Sequence, residues 1–254
     1  MTPNRKIGVR HQTLIRCLTP IFAFAVFAFP AWAEELKVLS GGAAKSLVDP
    51  LAASFGSVKM IYQPMGKLVE SLAAGADVDM VIVTMETVPT IEKQGKAKGR
   101  ARPIARVGIG VAVKDDAPAP DISSVEAFKK TLLAAKSIVY IDPKVGTSGK
   151  HVAEVLERLG ISDEINAKAR LGQGGYIVEP VGRGEIELGL HQISEILPVK
   201  GVKLVGELPK ALQKYTVYAA LPMKDSARVR QLIDYLSGPE GQKRLAAAGY
   251  TRPE

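Results

Sequence analysis

The chain has 254 residues, of which 46% are hydrophobic and only 6% aromatic, with a formal net charge of +8 and a single cysteine. Such a length allows one large domain or two small lobes with a substantial core. One cysteine excludes an intrachain disulfide framework.

Arg5, Lys6, Arg10 and Arg16 precede an apolar run from Leu18 to Ala33 that ends in Ala31-Trp32-Ala33. This is the layout of a secretory signal peptide with a small-x-small cleavage site, so residues 1–33 are read as a leader and the mature protein is expected to start at Glu34. Pro20 and Pro30 interrupt the run, and no segment approaches the ~20 apolar residues of a membrane span. The leader carries Cys17, the one tryptophan and four basic residues, so its removal lowers the net charge to +4. Thiol chemistry is then excluded, and a nucleic-acid role loses its main support.

"LKVLS" (36–40) reads as a strand, followed by Gly41-Gly42 and a helix with Leu47, Leu51 and Phe55 at helical spacing up to Gly56. "VKMIYQP" (58–64) predicts a second strand, 66–75 a helix, and "VDMVIVT" (78–84) a strand apolar almost throughout. After a basic, turn-rich stretch, "IARVGIGVAVK" (104–114) predicts one long strand. A helix over 125–136, a strand over 137–142 and a helix over 149–160 follow, then a helix near 175–183 and a strand over 186–192. A short helical turn, strands over 202–209 and 215–222, and two helices broken at Gly238-Pro239 complete the chain. Continuous apolar strands alternating with short helices predict α/β lobes with mostly parallel sheets covered on both faces. The long strands 104–114 and 215–222 bracket the second array and are read as hinge crossings. The lobes are therefore expected at residues 34–110 with 217–254, and at 111–216.

Three glycine-containing turns fall where a strand hands over to a helix: Ser40-Gly41-Gly42-Ala43, Met65-Gly66-Lys67 after Pro64, and Thr147-Ser148-Gly149 before Lys150. The first N–H groups of a helix lack intrahelical partners and lie at the positive end of its dipole, so such turns favour an anion. "GTSGK" is not a nucleotide-binding loop, because Lys144 stands where its first glycine belongs and His151 where its hydroxyl belongs. Nor does it have the register of a serine-hydrolase elbow. Its plainer reading is a helix cap by Thr147 or Ser148. Thr84 at the end of the third strand, Gly174 and Gly175 in "LGQGGY", and Gln192 after His191 are further candidates for the ligand; Lys45, Lys67 and Lys150 are read first as surface lysines. No metal-ligand spacing, cofactor motif, paired carboxylates or nucleophile–base arrangement stands out, so the chain is not expected to be an enzyme.

In "LKVLSGGAAKSL", "GKLVESLAAGADVDMVIVT", "YIDPKVGTSGKHVAEVLERLG" and "ELGLHQISEI" the sequence resembles the periplasmic substrate-binding proteins of molybdate ABC importers, over nearly the whole mature chain. The resemblance implies a two-lobed periplasmic binding fold that closes on a small anion, without a cofactor, and passes it as a monomer to an inner-membrane permease. It also implies departures at the ligand. Gly41-Gly42-Ala43 replaces the family's Ala-Ala-Ser, Pro64-Met65-Gly66 replaces a serine-rich turn, and Gln192 replaces a cleft tyrosine. Either a more weakly held oxyanion or a larger organic carboxylate, paired with Lys67 or Lys150, is expected. An exported enzyme on the same scaffold and a ligand sensor are the rival readings.

Overall fold

The computed structural model describes residues 35–253 together with Met1. The leader and its cleavage site lie outside them. From the first strand the order is β1 (Leu36–Gly41), a 3-10 turn (Gly42–Ala44), α1 (Lys45–Phe55), β2 (Val58–Gln63), α2 (Met65–Ala73), β3 (Met80–Thr84), α3 (Val88–Glu92) and β4 (Arg102–Val107). Then come β5 (Ile109–Lys114), α4 (Val125–Ala134), β6 (Ile138–Ile141), α5 (Thr147–Leu159), α6 (Ser162–Asn166), β7 (Ala169–Gly172), α7 (Glu179–Gly182), β8 (Leu188–Gln192), α8 (Ile193–Ile196) and β9 (Val202–Glu207). The chain ends with β10 (Thr216–Pro222), α9 (Ala227–Ser237) and α10 (Pro239–Ala247).

Two five-stranded sheets form, in the orders β2-β1-β3-β10-β4 and β7-β6-β8-β5-β9. In the first, β1 is parallel to β2 and β3, while β10 is antiparallel to β3 and β4. In the second, β6 is parallel to β7 and β8, while β5 is antiparallel to β8 and β9. Both sheets are therefore built alike, with the antiparallel strand in the same place.

Apolar residues on both sides of inner strands such as β3 and β6 explain the layering. On β3, Met80 and Ile82 pack with Val48 of α1 and Leu232 and Leu236 of α9, whereas Val81 and Val83 pack with Leu68 and Leu72 of α2 and Ile91 of α3. On β6, Ile138 and Tyr140 join Phe128 and Leu132 of α4 and Val152 and Leu156 of α5. Val139 points the other way, onto Val181 of α7 and Ile196 of α8.

The single strand expected over 104–114 is two strands in different sheets, parted at the buried Gly108. A Cβ on Gly108 would lie 2.7 Å from Gln213 Nε2 and 3.1 Å from the Tyr215 ring, so the return segment needs the glycine. Gln213 then holds the start of β5 from both sides: its Oε1 accepts from the Ile109 N–H at 3.1 Å and its Nε2 donates to the Ile109 carbonyl at 2.8 Å. The helix expected near 175–183 is likewise shorter, because Gly174 and Gly175 adopt φ of +126° and +70° and the helical turn begins only around Pro180.

Helix α5 rests directly on the end of β6. A Cβ on Gly149 would come 2.0 Å from the Ile141 carbonyl oxygen, closer than any real contact. Gly149→Ala is expected to force the helix off the strand and destabilise the protein by about 1–3 kcal/mol, the usual range for overpacking. Gly42→Ala, which meets no atom within 4 Å, is the matched control. Urea unfolding of the two variants measures the difference.

Candidate functional site

A cavity of about 510 Å³ opens at the carboxyl ends of strands from both sheets. Gly41, Gln63 and Thr84, the last residues of β1, β2 and β3, line one wall, and Ile141 and Gln192, the last residues of β6 and β8, line the other. Carboxyl ends are where open α/β sheets bind ligands, since each following helix starts there.

Three of the helices that start at this cavity share one property, whereas α8, which starts there after Gln192, carries Glu195 in its first turn. α1, α2 and α5 have Ala44, Pro64 and Gly146 at their N-caps, no side chain bonded to their first N–H groups, and no acidic residue in their first turns. Two of the other helices are capped by a side chain, Ser124 Oγ accepting from Ala127 N–H on α4 and Ser226 Oγ from Val229 N–H on α9, both at 3.1 Å, whereas α3, α6, α7, α8 and α10 are not. Lys45 and Ser46 of α1, Met65 of α2, and Thr147 and Ser148 of α5 bring the uncapped ends into the cavity wall. Neither Thr147 nor Ser148 is the cap; they are the first two residues of the helix.

The floor is aromatic and hydrogen-bonded. Tyr218, 1% exposed, donates to Gln192 Oε1 at 3.1 Å, and Gln192 Nε2 donates to Thr216 Oγ1 at 3.2 Å. These bonds tie β8 of one sheet to β10 of the other. Burial, with Tyr250 and the charge of Glu195 adding, pushes the Tyr218 phenol well above its ordinary range. Tyr62, also on the wall, is raised by burial and by its hydrogen bond to Asp49. Both phenols are therefore neutral donors at neutral pH. Beside them, His191 Nε2 lies 3.0 Å from the Gly175 carbonyl oxygen and 3.0 Å from Glu195 Oε2. Thr84 shares a hydroxyl–hydroxyl bond of 2.8 Å with Thr87.

A model of the bacterial extracellular solute-binding protein family matches residues 36–251. The chain belongs to that family. Among curated relatives, the solute-binding protein is 32% identical over 183 residues to an aconitate isomerase from a Pseudomonas species, covering 70% of this chain and 69% of the relative. It is 26% identical over 254 residues to the molybdate-binding protein of Escherichia coli K12, covering 91% and 96%. Among solved structures, the periplasmic molybdate-binding protein of Azotobacter vinelandii superposes with a TM-score of 0.70 at 19% identity, over 87% of this chain and all of the other. The divergent molybdate-binding-like character expected from the sequence stands, with the two-lobed fold.

In this solute-binding protein, Gly41, Gly42, Met65, Thr84, Thr147, Ser148, Gly174, Gly175 and Gln192 line the cavity. Five other candidates are not on its lining. Ser40 is fully buried in β1 and its Oγ donates to the Gly41 carbonyl at 3.1 Å. Gly66 and Lys67 lie on the exposed side of α2, with Lys67 Nζ 3.4 Å from Glu70. Gly149 is spent on the α5–β6 contact, and Ala43 lies within the turn after β1. Lys150 faces a separate recess of about 30 Å³ with His151, Glu86 and Lys214. His151 Nε2 lies 2.7 Å from the Leu212 carbonyl oxygen, tying α5 to the return crossing.

Sequence reasoning missed Ser46, Tyr62, Tyr176, Glu195 and Tyr218, all on the lining. The i,i+4 spacing of His191 and Glu195 was the available signal, hidden because the residues straddle a strand–helix junction. Among the described residues, no three or more His, Cys, Asp or Glu side chains gather to hold a metal ion.

Tyr250, 2% exposed beneath the site, donates to or accepts from Ser46 Oγ at 3.3 Å. Burial above all raises its phenol from 10.0 to about 12, with the negative charge of Glu195 adding and the Ser46 bond opposing. Between those values the unfolded chain releases a proton that the native protein keeps. Stability is therefore full below pH 10 and falls as pH rises towards 12. Tyr250→Phe is expected to shrink that alkaline loss, by about 2 kcal/mol for a shift of this size, as read from denaturant midpoints at pH 8 and pH 12.

Proposed function

We propose that the protein is a periplasmic capture protein for a small polycarboxylate, delivering it as a monomer to an ABC permease. The observation that carries this reading is the convergence of three uncapped helix starts, α1, α2 and α5, on one cavity. Each offers N–H donors and a positive dipole end to one negatively charged group. A ligand with its carboxylates on separate carbons satisfies all three.

Size and wall chemistry favour an organic ligand over a bare oxyanion. A tetrahedral oxyanion displaces on the order of three waters, or about 90 Å³ at roughly 30 Å³ per water; the cavity of about 510 Å³ is several times larger. Its walls include the side chains of Met65, Ile141 and Val145, which suit a carbon skeleton. Among the described residues Lys45 is the one Lys or Arg on the lining, with its Nζ 5.7 Å from the centre of the Tyr62 ring. The relative named aconitate isomerase supports a tricarboxylate of the aconitate type, propene-1,2,3-tricarboxylate, as the ligand. A second reading, that the protein isomerises this ligand as well as holding it, is favoured by the buried imidazole–carboxylate pair His191–Glu195 on the cavity wall.

Thermal unfolding in the presence of aconitate, citrate, succinate, molybdate, tungstate and sulfate tests the capture reading. A ligand at 100 times its Kd stabilises by about 2.7 kcal/mol. The tricarboxylates are expected to raise the melting temperature at concentrations where molybdate and sulfate do not. A response confined to molybdate or tungstate would refute the organic ligand.

A further inference from the structure

Within a cavity otherwise suited to an anion, one wall residue has the wrong sign. Among the described residues Glu195 is the single Asp or Glu on the lining, and its side chain is 10% exposed. It sits at the start of the second lobe's α8, where an apolar or amide side chain would avoid repelling the ligand. Its Oε2 is 3.0 Å from Nε2 of His191, whose side chain is 1% exposed. The same nitrogen is 3.0 Å from the Gly175 carbonyl oxygen. Both neighbours accept, so Nε2 carries a hydrogen and fixes the carboxylate relative to the glycine loop. Nδ1 is buried without a hydrogen-bond partner. The other titratable groups that feel this carboxylate are the phenols of Tyr218 and Tyr250, which burial holds neutral.

A carboxylate facing a polyanion weakens simple capture, whereas one that accepts a proton from the bound molecule does not. We propose that Glu195 is the base in an allylic proton transfer on the captured polycarboxylate, with His191 as its positioning residue. This rests on the polycarboxylate reading above. In an unsaturated tricarboxylate, the methylene between the double bond and a carboxylate is the acidic carbon. Its C–H bond breaks and the proton goes to Glu195. The released pair forms the new C=C bond, and after the glutamic acid has exchanged its proton with solvent the former π pair takes a proton from it at the far carbon, regenerating the glutamate. Atoms and electrons balance with no oxidant, reductant or co-reactant, and the double bond has moved, interconverting cis and trans isomers. Charge that develops on the flanking carboxylates during the transfer faces the same helix starts that hold the ground state.

The test mixes wild-type protein with the trans isomer of propene-1,2,3-tricarboxylate in D2O. Proton NMR follows the cis isomer and deuterium in the methylene, and calorimetry gives the Kd for the same compound. Conversion with deuterium incorporation is expected in the wild type. Glu195→Gln is expected to slow both by about 10²- to 10⁴-fold, the usual share of a general base. Its Kd should hold or tighten, because a repelling charge is gone; a purely structural glutamate would instead weaken binding. His191→Gln, which keeps an N–H donor, is expected to lower kcat with little change in KM. If Glu195→Gln does not fold, Glu195→Asp gives the same comparison with the charge retained and the reach shortened. Tight binding with neither conversion nor exchange overturns the proton transfer and leaves capture standing. Unchanged turnover in Glu195→Gln also overturns it, and absence of binding overturns both.

Discussion

Backbone N–H groups at a helix start must find an acceptor, and three helices of this protein reach the cleft with no side chain that supplies one. The chain has the means to cap a helix, as Ser124 and Ser226 show. At α1, α2 and α5 it places Ala44, Pro64 and Gly146 instead, none of which supplies a capping side chain. The requirement propagates outward. Short, apolar, mostly parallel strands bring the helix starts to one edge of each sheet. The two sheets share one strand order, so the edges meet across a single cavity.

Electrostatics then divides the cavity into two functions. Helix starts and the Thr147 and Ser148 hydroxyls supply donors, with Lys45 as the only lysine or arginine on the wall among the described residues. Donors of this kind are worth roughly 1.5–3 kcal/mol each when the acceptor is charged. Glu195 works against them: two like charges 4 Å apart repel by about 4 kcal/mol at an effective dielectric constant of 20. Donors therefore outweigh the repulsion only when several engage together, which suits a ligand carrying more than one carboxylate.

Much of the fold was legible in the sequence because inner strands of the parallel arrays are apolar on both faces, as in "MVIVT" at β3 and "IVYI" at β6. The break at Gly108 was not, since a glycine between Val107 and Ile109 reads as strand continuing; only the approach of Gln213 and Tyr215, more than a hundred residues away, makes it a crossing. At the site, turns were legible and side chains were not. A Gly-rich turn announces a helix start locally, whereas Tyr62, Tyr176 and Tyr218 reach the cavity from three separate segments. Lys67 shows the opposite error. It follows a correctly placed turn, yet helical geometry carries it to the outer face beside Glu70, whereas Lys45 at the start of α1 reaches the wall.

The interleaving of the sheets has a consequence for the molecule as a whole. The strand next to the edge of each sheet comes from the segment that has just left the other: β4 runs into β5 across Gly108, and β9 returns to β10 through Gln213. The second sheet thus begins with its inner strand β5, whereas the first sheet stays incomplete until its inner strand β10 is added near the end of the chain. The second sheet is one contiguous stretch of polypeptide, from β5 to β9, whereas the first is split by it, so the cleft is assembled only once nearly the whole protein has been synthesised.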